Sequence, residues 1–180
     1  MQNFPVKVED KEYWISRSVA VVGFIFTKIN NEYYVLGSQR GTGADGNQGL
    51  WNAPCGYLDY DETLKEACSR EISEETNLYV SPMLLHYHHI DDKPEGRQNI
   101  SISYWAYHPM FMGHTIYPKG TEENEVAEVL WIPLREICNF KWAFNHKYWI
   151  ANIALDNWSS ELDSQTYNML NQIVIYDDCR

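Results

Sequence analysis

Long apolar segments are absent from this sequence of 180 residues. The longest apolar run, residues 19–26, is far shorter than the roughly 20 residues that a helix needs to cross a bilayer. The first ten residues carry charges where a secretory signal has an apolar stretch. We therefore expect a protein with no membrane partner and a cytoplasmic location.

Positive charge and paired cysteines are also scarce. The sequence has only 14 Lys and Arg but 25 Asp and Glu, and the resulting net charge of -11 repels nucleic-acid backbones. We therefore expect no nucleic-acid partner. The four cysteines show no C-x-x-C spacing, which favours reduced, packed thiols over a zinc site. They are Cys55, Cys68, Cys138 and Cys179.

The composition that remains indicates one globular domain. Hydrophobic residues make up 44% of the chain and charged residues 22%, which is typical of a domain that buries a core. No repeat, low-complexity tract or linker divides the chain. We predict a single domain over residues 1–180, with a core over about 17–140 and C-terminal helices within 145–175.

Runs of β-branched and aromatic residues predict strands, and apolar residues at helical spacing predict helices. We expect strands at 19–26, 33–39, 79–90, 99–108 and 126–132, with a short extended piece at 51–54. Helices are expected at 62–76, 145–158 and 164–175. Because the two C-terminal helices carry apolar stripes that would cover a sheet face, the pattern predicts an α/β fold.

The helix predicted at 62–76 carries signals for both of its ends. Asp61 or Thr63 can cap its N-terminus, and Thr63 with Glu66 fits a capping box. Asn77 can adopt the left-handed conformation that ends a helix.

Three carboxylates of this helix lie on or beside its inward side. On a helical wheel Glu71 and Glu75 fall in the apolar stripe, and Glu74 lies at its margin. Like charges at such spacing cost about 0.2 to 0.5 kcal/mol per pair, and a half-buried unpaired carboxylate costs more. The alternative is an exposed helix in which Arg70 pairs with Glu66 and Glu74. The inward position instead suits hard oxygen ligands around Mg²⁺ or a similar cation.

These residues belong to a longer pattern that resembles the Nudix hydrolase box. Here the pattern reads Gly56, Glu62, Arg70-Glu71-Ile72, Glu74-Glu75 and Leu78. Asn77 replaces the last glycine, and Asn is the best substitute for glycine at positive φ. Cys55 is a second departure, because many relatives have glycine there. Eight of the nine specified positions match, so the pattern is far more specific than a short motif.

The resemblance implies a Nudix-type α/β/α sandwich with a mixed sheet and extra C-terminal helices. It implies metal-dependent hydrolysis of the diphosphate bond in a nucleoside diphosphate linked to another moiety. That substrate could be a sugar nucleotide, ADP-ribose, a dinucleotide or a nucleoside triphosphate. The partner would be a small-molecule nucleotide and the cofactor Mg²⁺ or Mn²⁺. Many relatives form homodimers, and no feature of this sequence decides that point.

The resemblance also assigns roles to individual residues. Arg70 would orient the helix carboxylates, and Glu62 would be an outer member of their network. Glu71 would accept the proton of the attacking water. Four groups would bind the metal: the backbone carbonyl of Gly56 and the carboxylates of Glu71, Glu74 and Glu75.

Positions outside the box carry further hypotheses. Relatives often supply one more metal carboxylate from a loop ahead of the last strand, and we favour Glu125 over its neighbours Glu122, Glu123 and Glu128. Arg40 and Arg97 are placed to bind a substrate phosphate, and ordinary surface arginines are the alternative.

Two other sets of residues have competing interpretations. Residues 41–46 fit G-x-G-x-x-G, but no helical pattern follows, so we interpret them as a loop. Three histidines cluster on one predicted strand, and without a matching further ligand we interpret them as strand residues, with a metal site as the alternative. They are His86, His88 and His89. Three aromatic residues could stack on a nucleobase: Trp51, Tyr57 and Trp105.

Two other functions remain open. Nudix-like folds also serve an isomerase of isoprenoid diphosphates that uses a cysteine just before a glycine, and Cys55-Gly56 invites that comparison. The second is a regulator in which a Nudix-like domain senses a nucleotide and a C-terminal helical module binds DNA. Residues 141–180 hold three bases and five acids, which makes a poor DNA surface.

Overall fold

The computed structural model describes residues 4–93, 99–109 and 124–177. The strands in this part of the chain are β1 (Phe4–Val8), β2 (Lys11–Ile15), β3 (Val19–Ile29), β4 (Glu32–Arg40), β5 (Trp51–Asn52), β6 (Cys55–Tyr57), β7 (His86–Asp91), β8 (Ile100–Tyr107) and β9 (Val126–Pro133). The helices are α1 (Leu64–Thr76), α2 (His146–Trp158) and α3 (Ser164–Asp177), with 3-10 turns at Pro82–Leu84 and Leu134–Asn139.

A seven-stranded mixed sheet forms the centre of the fold. Its main path runs β5-β4-β3-β8-β7, with β6 paired to β3 and β9 paired to β4. The pairing of β3 with β8 is parallel, and the other pairings in this sheet are antiparallel. β1 and β2 form a separate two-stranded sheet. The central strand β3 therefore lies between β8 on one edge and β4 and β6 on the other.

Helices cover both faces of the sheet. Because successive side chains of a strand point to opposite faces, Val21 and Ile25 of β3 pack in a core with Ile72 of α1. Phe24, on the other face, packs in a second core with Ile150 and other residues of α2 and α3. The predicted α/β sandwich with a mixed sheet and C-terminal helices is confirmed.

Gly23 lets α1 approach the sheet closely. A Cβ atom at this position would lie 2.7 Å from Cδ1 of Ile72 and 3.1 Å from Sγ of Cys68. A larger residue would force the Ile72 and Cys68 side chains, or α1 itself, to shift away from β3.

The structure differs from the sequence predictions in three segments. The prediction of one continuous strand over 79–90 was wrong. Ser81 caps a 3-10 turn that begins at Pro82, and β7 starts only at His86. Proline has no N–H to donate to a sheet, which explains the break. The β1–β2 hairpin was not predicted, and the extended piece expected at 51–54 is a strand only in β5, with β6 beginning after it at Cys55. Among the described helices, none combines the length and apolar character needed to span a membrane.

Candidate active site

The ends of α1 are formed by local hydrogen bonds. The backbone N–H of Glu66 donates to Oγ1 of Thr63 over 3.4 Å, and the N–H of Thr63 donates to Oε2 of Glu66 over 2.8 Å. Asn77 closes the helix with φ 57 in the left-handed region, and its N–H donates to Ser73 O. The predicted capping box and C-cap are confirmed, with Thr63 rather than Asp61 as the N-cap.

The inward face of α1 carries two buried carboxylates. Glu71 is 9% exposed and Glu75 is 7% exposed, in the same stripe as the buried Ile72. Glu74 lies at the margin, where its side chain is 42% exposed. The wheel placed these three carboxylates correctly. Buried carboxylates need hydrogen-bond donors or cations, so their contacts define what this face can do.

Arg70 joins three carboxylates. Its Nη1 lies 2.8 Å from Oε1 of Glu71 and 2.8 Å from Oε2 of Glu74. Its Nε and Nη2 bind both oxygens of Glu62, at 3.1 and 2.8 Å, and Nη2 also donates to Tyr57 O over 3.0 Å. These hydrogen bonds lower the pKa of Glu62 and raise the pKa of Arg70. The i,i+4 pair of Arg70 with Glu74, which belongs to the alternative interpretation, forms, but inside a network in which the same guanidinium also binds Glu71 and Glu62.

Gly56 leaves the space that the Glu71 carboxylate occupies. A Cβ atom built at Gly56 would lie 2.2 Å from Oε1 and 2.3 Å from Cδ of Glu71. Gly56 pairs with Val21 in the sheet, so the backbone cannot easily withdraw. The glycine at this position is required by this close approach.

Glu75 is held by two donors from outside α1. Ser38 Oγ on β4 donates to Oε2 of Glu75 over 2.6 Å. The backbone N–H of Cys55 donates to Oε1 over 3.0 Å. Neither contact was predicted from sequence, because the partners lie 37 and 20 positions away.

A cleft of about 760 Å³ opens beside these carboxylates. Every predicted metal-binding residue lines it, namely Gly56, Glu71, Glu74, Glu75 and Glu125. The described lining carries seven acidic residues, Asp45, Asp59, Glu71, Glu74, Glu75, Asp91 and Glu125, and two basic ones, Arg40 and Arg70. In the described residues no group of three His, Cys, Asp or Glu side chains has the geometry to hold a metal ion. The structure thus gathers acidic oxygen donors at one cleft wall, while Arg70 and Ser38 hold several of them.

A family model described as NUDIX domain matches residues 17–153 of this chain. The chain belongs to the NUDIX family. Among sequence relatives, MutT4 of Mycobacterium tuberculosis is 32% identical over 92 residues, which are 49% of this chain and 34% of that protein. Phosphatase NudJ of Escherichia coli K12 is 54% identical over 33 residues, 18% of this chain and 22% of NudJ. The chain therefore matches about a third or less of the length of these curated relatives.

Solved structures show the same fold. The NUDIX domain of Shewanella oneidensis NrtR, complexed with ADP ribose, has a TM-score of 0.64 and 21% identity over 79% of this chain and 89% of that chain. A bifunctional NMN adenylyltransferase/ADP ribose pyrophosphatase from Francisella tularensis, complexed with AMP and a Mn ion, has a TM-score of 0.56 and 26% identity. That match covers 78% of this chain and 41% of that one.

The other predicted residues of this Nudix chain have different surroundings. Gly41 donates its N–H to Glu125 O and so holds Glu125 at the cleft. Arg40 lines the cleft, donates to Gly46 O over 2.9 Å and lies 5.6 Å from the Phe144 ring. Part of its donor capacity therefore organises its own loop. Arg97, Glu122 and Glu123 lie outside the described residues, and Glu128 is in β9 opposite Gln39.

The histidine cluster lies in β7, as the strand interpretation predicted. His86 stacks on Trp105, with ring centroids 4.8 Å apart. His89 stacks on Trp149 at 4.3 Å, and His88 meets the same indole edge-on at 5.2 Å. His89 lines the cleft together with Trp149, so of these three histidines it is His89 that contributes to an aromatic part of the cleft wall. Of the three proposed stacking residues only Tyr57 lines the cleft, because Trp51 is buried and Trp105 packs against Trp158.

Two further residues at the Nudix cleft have perturbed pKa values. Burial, with the Glu75 charge, raises the pKa of the Cys55 thiol to about 12, so the thiol stays protonated. Burial, with the Arg40 charge, lowers the pKa of His146 to about 3. Sequence reasoning missed His146, because its partner Ala53 is 93 positions away.

Proposed function

We propose that this chain is a Nudix hydrolase that cleaves the diphosphate bond of a nucleoside diphosphate linked to another group. The observation that carries the proposal is the placement of Glu71, Glu74, Glu75 and Gly56 along one wall of a 760 Å³ cleft. The cleft volume falls in the range of small-molecule sites, roughly 300 to 1,000 Å³. The AMP and Mn ion named with the Francisella tularensis relative support a nucleotide substrate and a divalent cation.

The residues present fit a divalent metal ion by their chemistry. Mg²⁺ and Mn²⁺ prefer carboxylate and carbonyl oxygens, and the cleft lining holds seven acidic residues against two basic ones. We propose that Glu71, Glu74, Glu75, Glu125 and the carbonyl of Gly56 hold the ion. Bound there, a divalent cation supplies the positive charge that offsets repulsion between diphosphate and carboxylates and polarises the phosphoryl oxygens.

Arg70 and Glu62 position the reacting groups. Because one guanidinium binds both Glu71 and Glu74, it fixes two carboxylates that would otherwise repel each other. Glu62 accepts from Arg70 and from the N–H of Asp59, and so ties the guanidinium to the loop before α1. We infer that both residues act on the reaction through Glu71 and Glu74.

Glu71 is our candidate for the general base. A water oxygen forms a bond to one phosphorus atom of the diphosphate, its proton passes to a carboxylate oxygen of Glu71, and the bridging P–O bond breaks. The two products each carry one phosphate group of the original diphosphate. Glu71 suits this role because it is mostly buried yet lines the cleft and has a single defined place against Gly56.

We propose the substrate only as a class, the nucleoside diphosphate derivatives. A sugar nucleotide, ADP-ribose, a dinucleotide and a nucleoside triphosphate all contain the bond that this site would cleave. A cytoplasmic location, a homodimer, a single domain and the absence of nucleic-acid or membrane partners also stay predictions.

Neither alternative function gains support from the site. The isomerase hypothesis needs a reactive Cys55. Burial raises the pKa of this thiol to about 12, which disfavours the reactive thiolate form. The regulator reading needs a separate C-terminal module, whereas Ile150 and Leu170 of α2 and α3 share a buried core with Phe24 of β3. These helices complete the Nudix core on one side of the sheet.

The test is a panel of diphosphate substrates assayed with Mg²⁺, with Mn²⁺ and with a chelator. We expect turnover that the chelator abolishes, and a loss of at least about 100-fold in Glu74→Gln and Glu75→Gln. Glu66→Gln is the matched control on the same helix, because glutamine preserves the capping box and Glu66 lies outside the cleft. Turnover that survives both substitutions in the cleft would refute the assigned site.

A further inference from the structure

His146 occupies an unusual position in the cleft wall. It is the first residue of α2 and is 5% exposed, yet it lines the cleft. Its ring meets Phe24 edge-on, with centroids 5.4 Å apart, and lies 5.2 Å from the Phe144 ring. The backbone N–H of Ala53 donates to Nδ1 of His146 over 3.0 Å. This contact links α2 to the loop that leads into Cys55 and Gly56.

The contact with Ala53 decides which nitrogen of His146 carries the proton. A nitrogen that accepts a hydrogen bond must present a lone pair, so the proton of the neutral ring is on Nε2. Burial keeps this ring neutral, since it lowers the pKa of His146 to about 3. Nε2 is bonded to no described residue, and it is not among the fully occluded polar atoms. The free N–H of this buried side chain therefore opens towards the cleft that His146 lines.

The surroundings select the kind of group that this N–H can bind. The cleft wall here is aromatic: Phe24 and Phe144 contact the His146 ring, and the stacked pair of His89 and Trp149 lines the same cleft. The described lining has an excess of five acidic over basic residues, which disfavours a second anion at a neutral donor. A planar, uncharged group with a hydrogen-bond acceptor on its edge fits both conditions.

We propose that the Nε2–H of His146 donates a hydrogen bond to an edge acceptor of the substrate nucleobase and makes His146 a specificity-determining residue. This inference rests on the proposed function, because it requires a nucleotide in the cleft. The acceptor is a carbonyl oxygen or an unprotonated ring nitrogen. A base that presents an N–H at this point leaves two donors facing each other and is rejected.

Two substitutions separate this role from a structural one. His146→Asn keeps an acceptor near the position of Nδ1 for Ala53 but removes the donor at Nε2. His146→Gln places an amide donor near the position of Nε2 but loses the contact with Ala53. His86→Asn is the matched control, because His86 is exposed, lies in β7 and does not line the cleft.

The measurement is calorimetric binding, with Mg²⁺ present, of AMP, GMP, CMP, UMP and ribose 5-phosphate, which has no base. We expect at least one nucleotide to bind more tightly than ribose 5-phosphate. His146→Asn should weaken the binding of that nucleotide by roughly 5- to 50-fold, as expected for a lost or unpaired hydrogen bond, and leave the binding of ribose 5-phosphate unchanged. His146→Gln should weaken the binding of the nucleotide less than His146→Asn does. His86→Asn should bind every probe with the affinity of the unaltered protein.

Three results would overturn the inference. They are equal binding of ribose 5-phosphate and every nucleotide, unchanged nucleotide binding in His146→Asn, and an equal loss for both kinds of probe. None of the probes contains a diphosphate, so the outcome does not depend on hydrolysis. Absence of turnover in the substrate panel would refute the proposed reaction and leave this binding result standing.

Discussion

Gly56→Ala probes the position of the Glu71 carboxylate with a single methyl group. The added Cβ would lie 2.2 Å from Oε1 and 2.4 Å from Oε2 of Glu71, whereas ordinary contacts begin near 3.4 Å. The carboxylate must therefore move by about 1 Å. Gly56 has no positive φ, so the substitution adds no backbone strain of that kind.

The cost of Gly56→Ala should fall on catalysis more than on folding. The displaced group is the end of a flexible side chain, so we expect a loss of stability near the lower end of about 1 to 3 kcal/mol. A misplacement of about 1 Å at a reacting group can cost roughly 100-fold in rate. We therefore expect kcat to fall by about 100-fold while most of the protein stays folded.

The assay combines steady-state kinetics with denaturant unfolding of Gly56→Ala, Glu71→Gln and the double variant. If Gly56 acts through Glu71, adding Gly56→Ala to Glu71→Gln should cause little further loss of rate. Gly37→Ala is the control, because its Cβ would lie 2.8 Å from Ile132 Cδ1, outside the cleft lining. It should lose stability and keep its turnover. Full activity in Gly56→Ala, or additive losses in the double variant, would refute the reasoning.

Three further predictions test separate groups at the site. Ser38→Ala removes the 2.6 Å hydrogen bond to buried Glu75 and should lower both the free energy of unfolding, by about 1 to 3 kcal/mol, and the turnover rate. Ser69→Ala is the control: it removes a 2.7 Å hydrogen bond to Val80 O and should lower the free energy of unfolding alone. Cys55→Ala should retain hydrolysis, because the thiol is protonated, and loss of all turnover would favour the cysteine-dependent alternative. The pKa of His146 is about 6.5 in the unfolded chain and about 3 in the folded protein, so between these pH values only the unfolded chain binds the proton. The free energy of unfolding should therefore fall as the pH drops from about 6.5 to about 3, by up to about 1.4 kcal/mol per pH unit. Unfolding curves of His146→Asn should show a shallower fall there, and identical slopes would contradict the assignment.

Local signals in the sequence were sufficient to predict α1. Thr63 and Glu66 are three positions apart, and Asn77 ends the helix through its own backbone conformation, so no distant residue is needed. The inward placement of Glu71 and Glu75 likewise follows from helical periodicity alone. These features are fixed by spacing, and the structure confirmed them.

Contacts between distant segments could not be predicted. Ser38 meets Glu75 only because β4 lies in the sheet under α1, and His146 meets Ala53 only because α2 returns to the cleft. In the β1–β2 hairpin, strand β1 exposes its apolar residues Phe4 and Val8 and has no fully buried residue, so it lacks the buried face that would produce a clear pattern. In each case tertiary pairing, rather than local preference, determines the structure.

The most direct test of the central claim is a crystal structure of the protein grown or soaked with Mn²⁺, whose anomalous signal locates the ion. We predict one or more ions at the cleft wall, bound by carboxylate oxygens of Glu71, Glu74 and Glu75 and by the carbonyl of Gly56. Those side chains would have exchanged part of their present contacts with Arg70 and Ser38 for the ion. An occupied manganese site elsewhere, with the α1 carboxylates still bound to Arg70, Ser38 and the backbone N–H of Cys55, would contradict the account.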